Sequence, residues 1–299
     1  MSAPATPLMA DVSDTARWVA FHRALESERP DALFVDPFAR QLAGERGRRI
    51  AEEMPPVAGA SPGPHGLASG LAVRTKAFDE MILDCVQSMG ADAVLNLAAG
   101  LDARPYRLRL PSSLVWIEAD RAALLEEKAG VLAGAAPACI VERVAVDLAD
   151  DQARARLLDR VAGAHGRVVV VTEGLLVYLD EARVASLAEG LRARPSMRRW
   201  ILESVAPEVL RRHMRAWGKV FAQANAEWKF APPDGFDFFR SRGWSTTVSR
   251  PFMVEARRLG RESAVPRARL LRALSSLSGR FRRRMENLVV YGIMQRRAE

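Results

Sequence analysis

Apolar residues follow a helical period over the first ninety positions of the chain and then give way to short apolar runs. Ala16 to Ala43 reads as helix broken around Pro30 and Pro37, with Trp18, Val19, Phe21, Leu25, Leu33 and Phe38 as candidates for burial. Pro55 to Gly70 packs eight Pro or Gly into sixteen residues, a density that predicts a loop. From Ala72 to Met89 the period returns, with Val73, Ala77, Met81, Cys85 and Val86 on one face.

Beyond that point five runs predict strands: Val94 to Ala98, Val115 to Asp120, Ile140 to Val146, Val168 to Val171, and Arg199 to Glu203. Helical segments separate them, among them Arg121 to Leu132 and Glu181 to Leu191. The latter has Asp180 placed as an N-cap and Pro195 beyond its end. Apolar strands alternating with helices predict an α/β fold with a mostly parallel sheet covered on both faces. After residue 203 the alternation stops. Residues 206–244 hold eight of the chain's 20 aromatics, and two late strands follow near Ser245 to Val248 and Leu288 to Gln295. The expectation is one α/β domain with a helical N-terminal cap, an inserted aromatic segment and a final antiparallel pair.

Composition changes this picture little. The chain has 299 residues, 49% hydrophobic and 27% charged, as expected of a soluble globular protein. No apolar run approaches the roughly 20 residues of a membrane span. Met1 to Ala10 lacks the basic head and apolar stretch of a secretory signal, and Cys85 and Cys139 are too few for a disulfide framework. A cytoplasmic location is expected. The net charge of +8 suggests nucleic-acid binding until it is divided. Residues 250–299 hold 13 Arg against 4 Glu, or +9, and the rest of the chain sums to −1. No nucleic-acid signature accompanies the charge, so a solvated basic face is the expectation. Its functional reading is a landing site at Arg280 to Arg284 for an acidic carrier protein or a phosphate-bearing substrate.

The predicted strand ends offer more. Gly100 after the first strand allows close backbone approach. Glu118 and Asp120 end the second, and Asp120 lies 20 residues past Gly100, an offset that suits a carboxylate accepting from two ribose hydroxyls. Asp147 and Leu148 follow the third, a carboxylate for an adenine amino group beside an apolar cover. Glu173 follows the fourth and suits an ammonium. A nicotinamide enzyme would share the ribose acid, but it needs three glycines where Ala98 to Ala103 has one. Acids after successive strands suit an uncharged nucleoside with a cationic tail, such as S-adenosylmethionine. Arg74 is the candidate cation for its carboxylate.

The segments SDTARWVAFHRALESERPDALFVDPFARQLAG (13–44), RTKAFD (74–79), VLNLAAGLDARPYRL (94–108), WIEAD (116–120), VAVDL (144–148) and TEGLLVYL (172–179) resemble the leucine carboxyl methyltransferase family. The likeness is to its bacterial branch of tetracenomycin-type polyketide O-methyltransferases. GFDFFRSRGW (235–244) and ENLVVYGI (286–293) extend it over nearly the whole chain. The resemblance implies a Rossmann-like, seven-stranded class I methyltransferase domain over 71–299, with a cap and Pro/Gly loop over 1–70 and a substrate-side insertion at about 206–244, all one compact unit. It places Arg74 on the methionyl carboxylate, Ala98 and Gly100 beneath the methionine and ribose, and Asp120 on the ribose with Glu118 nearby. Asp147 and Leu148 would frame the adenine, and Glu173 would face the ammonium. The family usually has glycine where this chain has Ala98, and often Thr at Ala103. An alanine methyl fits there if the local φ is negative.

The expected acceptor is a carboxylate or hydroxyl of a small, polyketide-like bacterial metabolite. A carboxylate needs no base, whereas a hydroxyl gains roughly 10²–10⁴-fold from one. His22, Tyr178, His213 and Trp217 are candidate substrate residues, and no base is assigned. The competing reading is a non-catalytic methyltransferase fold that binds a polyanion through its Arg-rich C-terminus.

Overall fold

The computed structural model describes residues 7–55, 64–262, 279 and 285–297. Seven strands form one sheet: β1 (Ala93–Leu97), β2 (Val115–Asp120), β3 (Ile140–Ala145), β4 (Val168–Thr172), β5 (Met197–Val205), β6 (Trp244–Pro251) and β7 (Val289–Arg296). Their order is β3-β2-β1-β4-β5-β7-β6. The first five are parallel, and β7 runs antiparallel between β5 and β6. All five expected runs and both late strands are therefore strands, the fifth longer than its apolar run suggests. Chain order reverses direction between β1 and β4, so the crevice outside their carboxyl ends is the switch point where such sheets bind ligands.

Packing explains why the runs read as apolar throughout. Every residue of β1 and of β4 is buried. Two helices, α4 (Arg104–Arg107) and α5 (Ala122–Val131), follow β1 and β2. Ala93, Leu95 and Leu97 face a cluster with Leu157, Leu158 and Val161 of α6 (Asp151–Ala164) and Leu187 and Leu191 of α7 (Glu181–Arg192). Val94 faces the other side, against Phe78, Met81 and Ile82 of α3 (Pro64–Met89). Asp180 caps α7 as the sequence predicts, its Oδ1 accepting from the Arg183 N–H at 2.9 Å. Asp150 caps α6 likewise, accepting from Gln152 and Ala153.

Two expectations need correction. The N-terminal helix ends earlier than Pro30: α1 is Ser13–Ser27, the chain is non-helical to Phe38, and α2 runs Ala39–Glu53 with a kink at Gly44. The predicted loop over 55–70 is also too long. α3 already begins at Pro64, a residue tolerated in a helix's first turn, and Ala68, Ser69 and Ala72 are buried. Burial of that face outweighs the cost of glycine in the helix. Residues 56–63 lie outside the described residues, as does the run Arg280 to Arg284.

The aromatic segment supplies α8 (Pro207–Gln223) and a short turn of helix at Asp237–Arg240. α8 packs on the cap. Trp217 and Phe221 share a cluster with Trp18, Phe21, Leu42 and Ile50, and the Trp217 Nε1–H donates to the Pro55 carbonyl at 2.6 Å. Cap and α8 together roof the carboxyl end of the sheet. Among the described residues no helix is long and apolar enough to cross a membrane.

Candidate active site

A cavity of about 430 Å³ lies under this roof. Its floor is the strand ends: Asn96 and Ala98 to Asp102 after β1, Asp120 and Arg121 at β2, Val146 to Ala149 after β3, and Glu173 to Leu175 after β4. α1 contributes Val12 to Val19 in part, α3 contributes Leu71, Arg74 and Thr75, and α8 contributes His213, Trp217 and Phe221. Trp228 and Tyr178 complete the aromatic end.

Of the residues singled out from sequence, Arg74, Ala98, Gly100, Asp120, Asp147, Leu148, Glu173, Tyr178, His213 and Trp217 all line this one cavity. Glu118 and His22 do not. Glu118 lies two residues before Asp120 on the same face of β2, so it sits nearly 7 Å deeper along the strand. There it is fully buried, 2.6 Å from Lys128 Nζ and 3.1 Å from Arg143 Nε. His22 is buried in the cap, its ring edge-on to Trp18 and near Phe21.

The turn after β1 is held from several sides. The Gly100 N–H donates to Asp120 Oδ2 at 2.7 Å, and the Arg121 N–H donates to Oδ1 at 2.7 Å. Both carboxylate oxygens are thus oriented by backbone before any ligand arrives. Gly100 has φ +50, and a Cβ there would meet the Ala16 Cβ at 3.3 Å, so α1 lies directly over the glycine. Ala98 has φ +56, against the negative φ expected of an alanine at this place. Its N–H donates to the Ala119 carbonyl at 2.8 Å, which fixes the turn in the left-handed region at a cost of roughly 1–2 kcal/mol. Asp147 Oδ1 accepts from the Ala149 N–H at 2.9 Å, setting the loop after β3.

The other end of the floor is ionic. Arg74 Nε is 2.9 Å from Glu173 Oε1, and Arg74 Nη1 is 3.6 Å from Glu203 Oε1. Arg104 Nη2 approaches Glu173 Oε2 at 2.7 Å while the same guanidinium holds Asp79 and Asp102. Burial pushes the Asp102 carboxyl up, but Arg104, Lys128 and Arg107 more than offset it and hold it well below the ordinary range. Burial keeps Glu203 raised, with Arg74 opposing and Glu173 reinforcing the shift. Arg74 and Glu173 form a charge pair that a zwitterion can bridge, its carboxylate toward the guanidinium and its ammonium toward the carboxylate. Arg104 and Glu203 are the members that sequence reasoning missed. Arg104 stood within the matched VLNLAAGLDARPYRL segment. Glu203 ended a predicted strand, and only the sheet order places it behind Arg74.

At the aromatic end the His213 ring stacks on Trp228 with centroids 3.7 Å apart and planes 6° apart, and meets Trp217 and Phe221 edge-on. Burial pushes its imidazole down to about 4. Burial raises the Tyr178 phenol, with Trp228 and Thr15 pulling it part of the way back.

A model of the family described as leucine carboxyl methyltransferase matches residues 16–192. The chain belongs to this family. A relative from Mycobacteroides abscessus, named as an S-adenosyl-L-methionine-dependent methyltransferase, is 39% identical over 186 residues, 61% of this chain and 59% of that protein. One of the same name from Mycobacterium bovis is 38% identical over 195 residues, 62% of this chain and 64% of that protein. The chain thus spans about three-fifths of the length of these two relatives. A third, from Mycobacterium sp. strain KMS, is 31% identical over 264 residues, 82% of this chain and 87% of that protein. Among solved structures, a methyltransferase-named protein from Thermobifida fusca superposes with a TM-score of 0.57 at 14% identity, covering 97% of this chain and 96% of its own. A DUF574-family protein from Streptomyces avermitilis gives 0.56 at 12%, covering 95% and 97%. These likenesses show the fold, that of a class I methyltransferase. Family and relatives imply S-adenosylmethionine as the cofactor, and they do not favour the non-catalytic, polyanion-binding reading.

Proposed function

We propose that the chain is an S-adenosylmethionine-dependent O-methyltransferase of a small bacterial metabolite that is flat and largely apolar, as a polyketide is. The observation that supports this reading is the division of one cavity into two chemistries. The strand-end half carries Asp120, Asp147 and the Arg74–Glu173 pair, and the α8 half is walled by Trp217, Phe221, Trp228 and Tyr178. The first half suits a nucleoside with an amino-acid tail, and the second a planar acceptor.

In this reading Asp120 accepts from the ribose hydroxyls, its oxygens already set by Gly100 and Arg121. Asp147 takes the adenine amino group while Leu148 covers the ring. Arg74 receives the amino-acid carboxylate and Glu173 the ammonium, with Arg104 fixing Glu173. The bound sulfonium supplies an activated methyl group. The protein's task is then to hold the acceptor oxygen about 3–3.5 Å from that carbon and in line with the bond that breaks. α1 and α8 exclude water from the reacting atoms. A cytoplasmic setting belongs to the same reading and agrees with two buried, free cysteines. So does an acidic carrier protein as a delivery partner, a role that would fall to the basic C-terminal region.

Calorimetric titration with S-adenosylmethionine, S-adenosylhomocysteine and NAD tests the reading. Binding of both sulfur nucleosides at micromolar concentration, with none of NAD, is the expected result. A folded sample that binds neither sulfur nucleoside overturns it.

A further inference from the structure

Glu203 lies near the carboxyl end of β5, 7% exposed and outside the cavity wall. Stability alone is a poor reason for a charge at such a place, since an apolar side chain of similar volume usually does as well or better. Its Oε1 accepts from the Gly174 N–H at 2.8 Å and lies 3.6 Å from Arg74 Nη1. One oxygen thus reaches both halves of the tail site. One half is the guanidinium that suits a ligand carboxylate, and the other is the backbone beside Glu173, which suits an ammonium. Among the described residues no other cation pairs with Glu203. Its register partner on β7, Tyr291, is kept a neutral phenol by burial and by the Glu203 charge.

The contact between Arg74 and Glu173 is poised to part. Arg74 Nε and Glu173 Oε2 are buried without a hydrogen bond, although each stands at ion-pair distance from an opposite charge. A zwitterion entering here gives both groups an aligned partner, its carboxylate on the guanidinium and its ammonium on Glu173. Glu173 is then drawn away from Arg74 but keeps Arg104, while the arginine keeps Glu203. A Cβ at Gly174 would stand 3.5 Å from Arg74 Nη1, so the guanidinium lies against the very turn that Glu203 holds. An arginine anchored at one nitrogen gives up less freedom when its other N–H groups close on a carboxylate.

We propose that Glu203 is a positioning residue for the cofactor's amino-acid tail, acting through Arg74 on the carboxylate and through Gly174 on the Glu173 that takes the ammonium. This deepens, and rests on, the methyltransferase reading above. Arg74 borders the cavity and Glu203 does not, so the ligand carboxylate meets the guanidinium rather than the acid. The two routes can be cut separately. Glutamine keeps an oxygen for the Gly174 N–H and removes the charge that holds Arg74. Alanine removes both.

The test is calorimetric titration of the full chain with three ligands: S-adenosylmethionine, its decarboxylated form, which keeps the ammonium, and adenosine, which has no tail. Thermal unfolding first shows that each variant is folded. Glu203→Gln should weaken S-adenosylmethionine at least about fivefold. The other two ligands should stay within about twofold of the wild type. Glu203→Ala should weaken the decarboxylated form as well, by at least about fivefold, and again spare adenosine. A merely structural role would not sort ligands by their tails. Equal losses for all three ligands overturn the proposal, as does S-adenosylmethionine that binds Glu203→Gln as well as the wild type or better. If the alanine variant does not fold, the glutamine variant decides. A wild type that fails to bind S-adenosylmethionine overturns the methyltransferase reading and the proposal with it, before any variant is compared.

Discussion

Arg74 on α3 and Glu173 after β4 meet at 2.9 Å across the cavity floor, with Glu203 behind the arginine and Arg104 behind the glutamate. The pair joins the helix that follows the cap to the sheet, and both side chains are mostly buried. Without Arg74, Glu173 keeps Arg104 but Glu203 loses the cation beside it, and a buried charge left uncompensated in this way typically costs about 3–5 kcal/mol. Arg74→Ala should therefore lower the unfolding midpoint and also weaken S-adenosylmethionine at least about tenfold, through the lost carboxylate contact. Adenosine lacks the amino-acid tail, so its affinity should be unaffected by the same change. Calorimetry with the two ligands separates these outcomes, and equal losses for both would place Arg74 outside the tail site.

Asp120 carries a different load. Its two oxygens accept from Gly100 and Arg121, so it shapes the turn after β1 as well as facing the cavity. Asp120→Ala should weaken both S-adenosylmethionine and adenosine, by roughly 10–100-fold, since each hydrogen bond to a charged group is worth about 1.5–3 kcal/mol. Unchanged affinity in a folded variant removes the ribose assignment.

How far the sequence disclosed all this depends on what each residue needs from the fold. β1 and β4 were legible because strands buried on both faces have nothing but apolar residues to show. The acids at their ends were legible as punctuation. Glu118 and Asp120 look alike in sequence, yet one turns toward Lys128 and Arg143 and the other borders the cavity. A spacing of two puts them on one face without saying which is deeper. The helical start at Pro64 was hidden because Pro and Gly signal a loop locally, whereas burial of Ala68 and Ser69 decides the matter through contacts distant in sequence. Glu203 acquires its place beside Arg74 only because β5 lies next to β4 in the sheet. No local pattern records that.

Ala98 offers a gain of stability. Its φ of +56 lies where glycine is at ease and alanine is not. The hydrogen bond to the Ala119 carbonyl prevents the turn from relaxing. Ala98→Gly removes the strain and adds some backbone entropy to the unfolded chain, leaving a net stabilisation of about 1 kcal/mol. The methyl also borders the cavity, so cofactor affinity should hold or rise. Denaturant titration of the two proteins reads the first effect and calorimetry the second. A destabilised variant would show that the methyl packs better than its backbone angle suggests.

His213 ties stability to pH in a direction that can be worked out. Burial alone pushes its imidazole from 6.5 down to about 4. In the unfolded chain the ring takes its proton near pH 6.5, so between 6.5 and 4 the unfolded state binds more protons at this site than the folded state does. Stability is then fully present above pH 6.5 and lost progressively as pH falls through that window, by on the order of 3 kcal/mol in all. A phenylalanine at this position cannot titrate. The difference in unfolding free energy between the wild type and His213→Phe should shift in the variant's favour by about 2 kcal/mol between pH 7.5 and pH 5. Every other titrating group is shared by the two proteins and cancels in the comparison. Parallel pH profiles would mean that water reaches the ring and that folding does not change its titration.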